Sequence, residues 1–463
     1  MTTQTRPSRQ VPQPAPPSPV STGPLARPRP RPSGRIGWIV AGSLVTGLVV
    51  AVLLVAAPFV APQENDITAA VLCGFALGWA MLAGLSVRFT DQPQRWAVAP
   101  ALAMGLGGLA LIGSGSSVIN WAWPPVMLAV AVWMIVRVHR QLRSSAGRWL
   151  LYPVIAMLAL ASIGGGYETL REAADANAYP MPGRLIDVGG HSLHLYCTGS
   201  GSPTVVLEPG GGEMSSNLGW IAPAVARGTR VCVYDRAGRG WSQPSDTQQD
   251  GTQIATDLHT LLQRGHVPGP YVLAGHSFGG LYVLNFAARY PSEVAGMVFV
   301  DSTAPAWGAA SSGERGSSQL MSRVSTLIST SARLGLGRLY GQLAYGSLPP
   351  RSRDEVRASA ATASNIRSTI EEYVQASASM KQAASLKDFA AKPLVVLTAG
   401  MGHDAAWTTA QNHLATLSTN SVHRVIGNAT HEALVADSQP ATATTRAILD
   451  VVSSVRSSGP LTK

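Results

Sequence analysis

The chain has 463 residues, of which 46% are hydrophobic and only 13% charged, and it carries a formal net charge of +10. It is too long for one ordinary domain, and its charged fraction is about half that of an average soluble protein. The positive charge does not point to nucleic acid: residues 1–163 hold twelve arginines, no lysine and three acids (Glu64, Asp66, Asp91), whereas the rest is close to neutral and lacks a basic stripe interleaved with aromatics. Residues 1–35, rich in Pro, Arg, Ser and Thr, are expected to form a disordered basic tail. Its Arg27-Pro28-Arg29-Pro30-Arg31-Pro32 tract can be read as a polyproline ligand, but the preferred reading is a solvated tail held near anionic lipid.

Five apolar runs follow, at about 36–59, 67–87, 96–112, 118–136 and 149–163. Each approaches or exceeds the ~20 residues that cross a bilayer core as a helix. Trp38, Trp96, Trp121 and Trp149 lie near run ends, where an interfacial aromatic belt belongs. The loops alternate in charge. The tail and the loops holding Arg88/Arg95 and Arg137/Arg140/Arg143/Arg148 are basic, while the others are neutral or acidic (Glu64, Asp66; then Glu168, Glu172, Asp175). By the positive-inside rule the tail is cytoplasmic and everything after residue 165 is extracytoplasmic, in a multi-pass plasma-membrane protein. Residues 36–165 are thus the membrane region and 166–183 a linker.

From residue 184 the pattern changes to short β-branched runs alternating with helix-period segments, the mark of an α/β domain over 184–456 with a short tail at 457–463. Strands are expected at 184–188, 193–197, 204–208, 230–234, 271–274, 296–300, 394–398 and 423–426. In 252–264, Ile254, Leu258, Leu261 and Leu262 repeat as on an amphipathic helix packed against a sheet. The Ala/Ser/Leu-rich stretch 302–392 is too long for a loop and is read as an inserted helical cap.

The sharpest motif is Gly275-His276-Ser277-Phe278-Gly279, set between a predicted strand and a predicted helix. That context is what a nucleophile elbow requires: a strained turn lifts the serine to the sheet edge, over a helix N-terminus that favours developing negative charge. Glu208-Pro209-Gly210-Gly211-Gly212 follows the third strand, so that Gly211 or Gly212, together with Phe278, can offer backbone N–H groups to an oxyanion. A plain glycine turn is the blander reading. His431, on the loop after the last strand, is the candidate base. His276 is read as structural, and His403 and His423 as surface residues. His191 and His194 make poor co-ligands, no Cys/His spacing reads as a zinc site, and neither a metal nor a cofactor is implied.

With those residues in view, 184–456 resembles the α/β-hydrolase superfamily, most nearly a group of bacterial esterase-like hydrolases. The resemblance is carried by Gly190-His191-Ser192-Leu193-His194-Leu195-Tyr196-Cys197-Thr198-Gly199, Tyr234-Asp235-Arg236-Ala237-Gly238-Arg239-Gly240-Trp241-Ser242, the elbow, and Met297-Val298-Phe299-Val300-Asp301-Ser302. It implies an eight-stranded, mostly parallel sheet with helices on both faces, and hydrolysis through an acyl-enzyme. It also implies an acid after the sixth or the seventh strand. Asp301 is favoured because it ends a strand; Asp404, in the commoner location, is the alternative, and the blander role for Asp301 is a helix cap. In this fold the second strand neighbours the fourth, so Cys197 and Cys232 can pair as a cross-strand disulfide in an oxidising location. Ser277, rather than Asp, at the elbow argues against epoxide opening and dehalogenation. The resulting expectation is a membrane-anchored serine esterase acting on a small-molecule or lipid-like ester, with membrane lipid as its surroundings. The alternatives are an acyltransferase using the same residues, or a non-catalytic hydrolase-fold binding domain.

Overall fold

The computed structural model describes residues 2–3, 35–61, 63–114, 116–305 and 317–462; the Pro/Arg tract of the tail lies outside them. Helices α1 (Ile36–Ala56), α2 (Glu64–Phe89), α3 (Val98–Ser114), α4 (Ser116–Gln141) and α5 (Ser145–Ala178) form the N-terminal region. Five helices here are long and apolar enough to cross a membrane. Their polarity is inverted relative to a water-soluble bundle. Leu48, Val52, Leu106, Leu109 and Leu160 face outward and are more than half exposed, the arrangement that suits a lipid surrounding. Small residues mark the contacts instead. Ser43, Gly47 and Ala51 are spaced four apart on α1 and face Gly74 and Gly78 of α2, so closely that a Cβ at Gly78 would stand 2.8 Å from the Ser43 carbonyl oxygen. Residues 166–183, expected as a linker, are helical as far as Ala178. α5 does not stop where its apolar run stops, because Glu168 and Asp175 find ion-pair partners further along the chain.

Strands β1 (Arg184–Asp187), β2 (Ser192–Thr198) and β3 (Thr204–Glu208) are followed by α6 (Ile221–Val225), β4 (Val231–Tyr234), α7 (Gly251–Arg264), β5 (Tyr271–His276), α8 (Gly279–Arg289) and β6 (Val294–Val300). The cap then supplies α9 (Ser317–Thr330), α10 (Leu336–Leu343), α11 (Pro350–Ala360), α12 (Ala363–Val374) and α13 (Ala376–Ala383). The chain returns to the sheet with β7 (Leu394–Ala399), α14 (Ala405–Ala415), β8 (Ser421–Ile426), α15 (Ala433–Ala436) and α16 (Ser438–Ser457).

The eight strands form one sheet in the order β1-β2-β4-β3-β5-β6-β7-β8. β1–β2 and β2–β4 are antiparallel and all other pairs are parallel. The central strands β3 to β7 read as nearly continuous apolar runs because both faces are covered. Leu258, Leu261 and Leu262 of α7 and Val283 and Phe286 of α8 pack on one face. Val225 of α6 and Ile448, Val451 and Val452 of α16 pack on the other. Cys197 of β2 and Cys232 of β4 are register partners and are joined by a disulfide, whereas Cys73 is free. The carboxyl ends of β3, β5, β6, β7 and β8 converge on one edge, and the candidate residues gather there.

Candidate active site

Ser277 follows directly on β5 and precedes α8. Its φ of 52° is a left-handed value for a residue that carries a side chain, a strain that persists only where the surroundings impose it. They do so by close packing: a Cβ on Gly275 would lie 2.6 Å from Gly279, and one on Gly279 would lie 2.5 Å from the Glu208 carbonyl oxygen. The turn is pinned by the Ser277 N–H donating to the Val300 carbonyl, and by the Gly280 N–H donating to the Ser277 carbonyl. The Ser277 side chain thus stands at the N-terminus of α8, where the helix dipole favours negative charge.

Asp301, just beyond β6, is fully buried and also has a positive φ, 45°. Its Oδ2 accepts from His431 Nδ1 at 2.7 Å and from His403 Nε2 at 2.5 Å. Its Oδ1 accepts from Trp407 Nε1 at 2.9 Å and from the Ala399 N–H at 3.2 Å. Burial alone would raise this carboxyl, but the bonds from His431, Trp407 and His403 outweigh it and hold the group below its ordinary 3.8. With Nδ1–H committed to Asp301, His431 has Nε2 left as an acceptor. Ser277 Oγ and His431 are not hydrogen-bonded; catalytic contacts of this kind are often long and tighten in the Michaelis complex.

Two expectations are corrected here. Asp404 makes no hydrogen bond to His431: it is exposed and caps α14, accepting from the Trp407 N–H at 2.8 Å. His403, expected on the surface, is stacked on Trp407 at 4.7 Å and bonded to Asp301. The loop after β7, where the commoner acid position lies, supplies donors to Asp301 instead of a carboxylate. Asp301, His403 and His431 present one ligand atom each within 4.8 Å, but the two nitrogen–oxygen distances, 2.5 and 2.7 Å, suit shared protons. Neighbouring ligands around a tetrahedral zinc stand about 3.3 Å apart.

The glycine loop after β3 lies against the elbow: a Cβ on Gly211 would touch the Phe278 ring at 3.3 Å. The Gly212 N–H is already engaged, donating to Glu372 Oε2 of α12 at 3.1 Å. Of the two glycines expected to serve an oxyanion, Gly211 therefore remains the candidate and Gly212 does not. The loop is held by a buried charge network that no local pattern announces. Arg236 donates to Glu208 at 2.5 Å, to Glu372 at 2.6 Å and to the carbonyls of Pro209 and Gly210. Arg239 donates to Glu372 at 2.6 Å, and Tyr234 donates to Glu208. Burial pushes Glu208 up to about 7 against the opposing pull of Arg236 and the Tyr234 bond. Burial acts in the same sense on Glu372, but Arg236 and Arg239 overcome it and hold the group below its ordinary 4.5.

His276 is held on both sides. Its two ring nitrogens face acceptors, Glu213 Oε2 at 3.0 Å and the His431 carbonyl at 3.2 Å, an arrangement that favours the protonated ring. Burial opposes that charge, but Glu213 outweighs it and raises the ring above its ordinary 6.5. His194 pairs with Asp235 at 2.8 Å and His191 with Asp257 at 3.4 Å, so each has its own acid.

Comparison with known proteins agrees with this architecture. The family described as alpha/beta hydrolase fold matches residues 203–437. An uncharacterized protein of Schizosaccharomyces pombe is 30% identical over 300 residues, covering 56% of this chain and 54% of that one. The 2-hydroxy-6-oxo-2,4-heptadienoate hydrolase of Pseudomonas putida is 28% identical over 124 residues, covering 26% of this chain and 44% of that one. The chain thus spans about half the length of the curated relatives it matches. Among solved structures, a thermophilic esterase from Thermogutta terrifontis aligns with a TM-score of 0.44 and 22% identity, over 57% of this chain and 94% of that one. The enol-lactonase from Burkholderia xenovorans aligns with a TM-score of 0.45 and 19% identity, over 58% of this chain and all of that one.

Proposed function

For a chain that belongs to the α/β-hydrolase fold family, we propose the activity of a membrane-anchored serine hydrolase that cleaves carboxylic esters through an acyl-enzyme. The observation that carries the reading is the hydrogen bond from His431 to buried Asp301 at the same carboxyl edge of the sheet as the strained Ser277. Ser277 Oγ attacks the ester carbonyl carbon while His431 Nε2 takes its proton. The tetrahedral oxyanion is met by the N–H groups of Phe278 and Gly211. On collapse the C–O bond to the alcohol breaks and His431 returns the proton to the departing alkoxide. Water then adds to the acyl carbon, giving its proton to His431. The carboxylic acid leaves, and Ser277 recovers the proton. Asp301 remains ionised throughout, fixing the tautomer of His431 and stabilising its imidazolium.

The five apolar helices serve as the anchor, with the basic tail cytoplasmic and the hydrolase domain outside the cytoplasm. The arginine-bearing loops support this orientation, and so does a disulfide on the β2–β4 pair, since such bonds persist in oxidising compartments. Labelling of purified protein with a fluorophosphonate probe tests the chemistry: wild type should label and Ser277→Ala should not. Folded wild type that fails to label would put the non-catalytic reading ahead. Protease added to intact spheroplasts tests the orientation, and protection of residues after 178 would overturn it.

A further inference from the structure

Helix α9 is built the wrong way round for water. Over residues 323–330 its buried face is polar, with Ser325 and Thr326 fully buried and Ser329 1% exposed. Its outward face is apolar, with Val324, Leu327 and Ile328 40%, 44% and 51% exposed. An amphipathic helix at an aqueous surface shows the reverse arrangement, whereas an apolar stripe turned outward is what a helix lying in a lipid interface shows. The same surface continues into α10, where Leu336 is 57% and Leu343 91% exposed.

The position of this surface is fixed by the ends of the apolar helices. Arg323 donates to the Val55 carbonyl in the last turn of α1 at 2.8 Å, meeting one of the carbonyls a helix end leaves open. Arg333 pairs with Glu64, the first residue of α2, and Arg338 with Glu168 and Asp175 of α5, both at 2.7 Å. The backbone at Leu334 sits on α5 at Gly164, where a Cβ would come within 2.3 Å of the Leu334 carbonyl oxygen. Gly164 lies one residue beyond the last apolar run, so α9 and α10 stand at the level where the hydrocarbon ends. On its inner side α9 packs on α12, whose Tyr373 ring lies 5.1 Å from Phe278, next to Ser277.

We propose that α9 and α10 lie in the leaflet on the hydrolase side, with the cap resting on lipid, and that the ester reaching Ser277 is a membrane-borne amphiphile with a long acyl chain. The surface claim rests on the membrane-spanning helices, and the substrate claim rests also on the serine-hydrolase reading. The test uses full-length protein in phosphatidylcholine nanodiscs, in a Cys73→Ser background that leaves the disulfide intact. Single cysteines at Leu327, Ile328, Leu160 (lipid reference) and Lys387 (water reference) carry an environment-sensitive fluorophore. Probes at 327 and 328 should be quenched by doxyl-lipid like the one at 160 and resist iodide; behaviour like the probe at 387 overturns the surface claim. The paired substitution Leu327→Asp/Ile328→Asp should lower kcat/KM about tenfold or more on a long-chain ester dissolved in the bilayer, given the cost of two charges in an apolar phase, and leave a water-soluble short-chain ester unchanged. Equal loss on both esters, or no loss on the bilayer ester, overturns the substrate claim. If wild type cleaves neither ester, the hydrolase reading fails and takes the substrate claim with it, while the quenching still decides where the cap lies.

Discussion

Replacing Asp301 by Asn separates the two candidate acids by an argument from geometry. The substituted amide keeps the shape of the carboxylate but must turn an NH₂ toward one of two donor pairs. On the Oδ1 side stand Trp407 Nε1 and the Ala399 N–H, neither of which can accept. The amide nitrogen therefore takes the Oδ2 position, opposite His431 Nδ1 and His403 Nε2. Imidazole can meet a donor only by moving its own proton, so His431 flips to the tautomer with Nε2–H pointing toward Ser277. The base is then already protonated where it must accept. Loss of tautomer control of this kind costs about 10⁴-fold in kcat, or about 5 kcal/mol of transition-state stabilisation. Asp404→Asn should stay within about twofold of wild type, because Asn is as good an N-cap as Asp. The assay is steady-state hydrolysis of an activated ester by detergent-purified protein, with thermal melts to show that each variant is folded. An Asp301→Asn variant that keeps more than a tenth of wild-type activity, or an Asp404→Asn variant that loses it, refutes the reasoning.

Four further outcomes are expected. Protein unfolded without reductant should titrate one free thiol, Cys73, and three after reduction, because Cys197 and Cys232 are bonded. Glu372→Gln removes the carboxylate that pairs with both Arg236 and Arg239 and leaves buried charge uncompensated, a loss of about 3–5 kcal/mol. Because the folded-state value of Glu372 lies below 4.5, its contribution is complete above that pH and is lost as pH falls through the folded value, so melting curves of wild type should fall more steeply at acid pH than those of the variant. His276 is shifted the opposite way, above 6.5. Its contribution is complete below 6.5 and is lost as pH rises through the folded value, and alkaline melts of His276→Gln should show a flatter decline than wild type. Gly78→Ile forces apart α1 and α2, which approach at the Ser43 carbonyl, and should lower the melting temperature in detergent while an isosteric change at outward-facing Leu48 does not.

The sequence was most legible where one periodicity or one turn decides the structure. The eight strands lie where β-branched runs suggested them, most plainly in β3 to β7, where a strand buried on both faces has few other ways to read. The elbow was legible because a strand, a strained serine and a helix must follow each other within a few residues. The site was harder to read wherever partners are distant in sequence. His403 looked like a surface histidine on a polar loop, and only folding brings it to Asp301, 102 residues away. Gly212 looked free to serve an oxyanion, and the cap carboxylate that occupies its N–H lies 160 residues on. The helical turns of 166–178 were hidden for the same reason: Glu168 and Asp175 in this stretch are held by Arg338 of the cap.

The buried charges gain meaning from what they connect. Arg236 and Arg239 belong to the turn after β4, Glu208 to the end of β3 and Glu372 to the cap, and the network closes only when the cap is seated. An ion cluster of this kind is weak evidence for stability, since well-packed apolar groups of similar volume often do as well. What it adds is geometry. Glu372 holds the Gly212 N–H, Arg236 holds the carbonyls of Pro209 and Gly210, and between them the backbone of Gly211 has little freedom left. A donor aimed at a developing oxyanion is effective only if it is aligned before the charge appears. The cap helix that supplies Glu372 also packs against α9, the helix whose apolar face is turned outward. In the proposed mechanism the contacts that hold the cap also hold the backbone at Gly211, so a cap that loses its hold on Arg236 and Arg239 should cost kcat before it costs substrate binding.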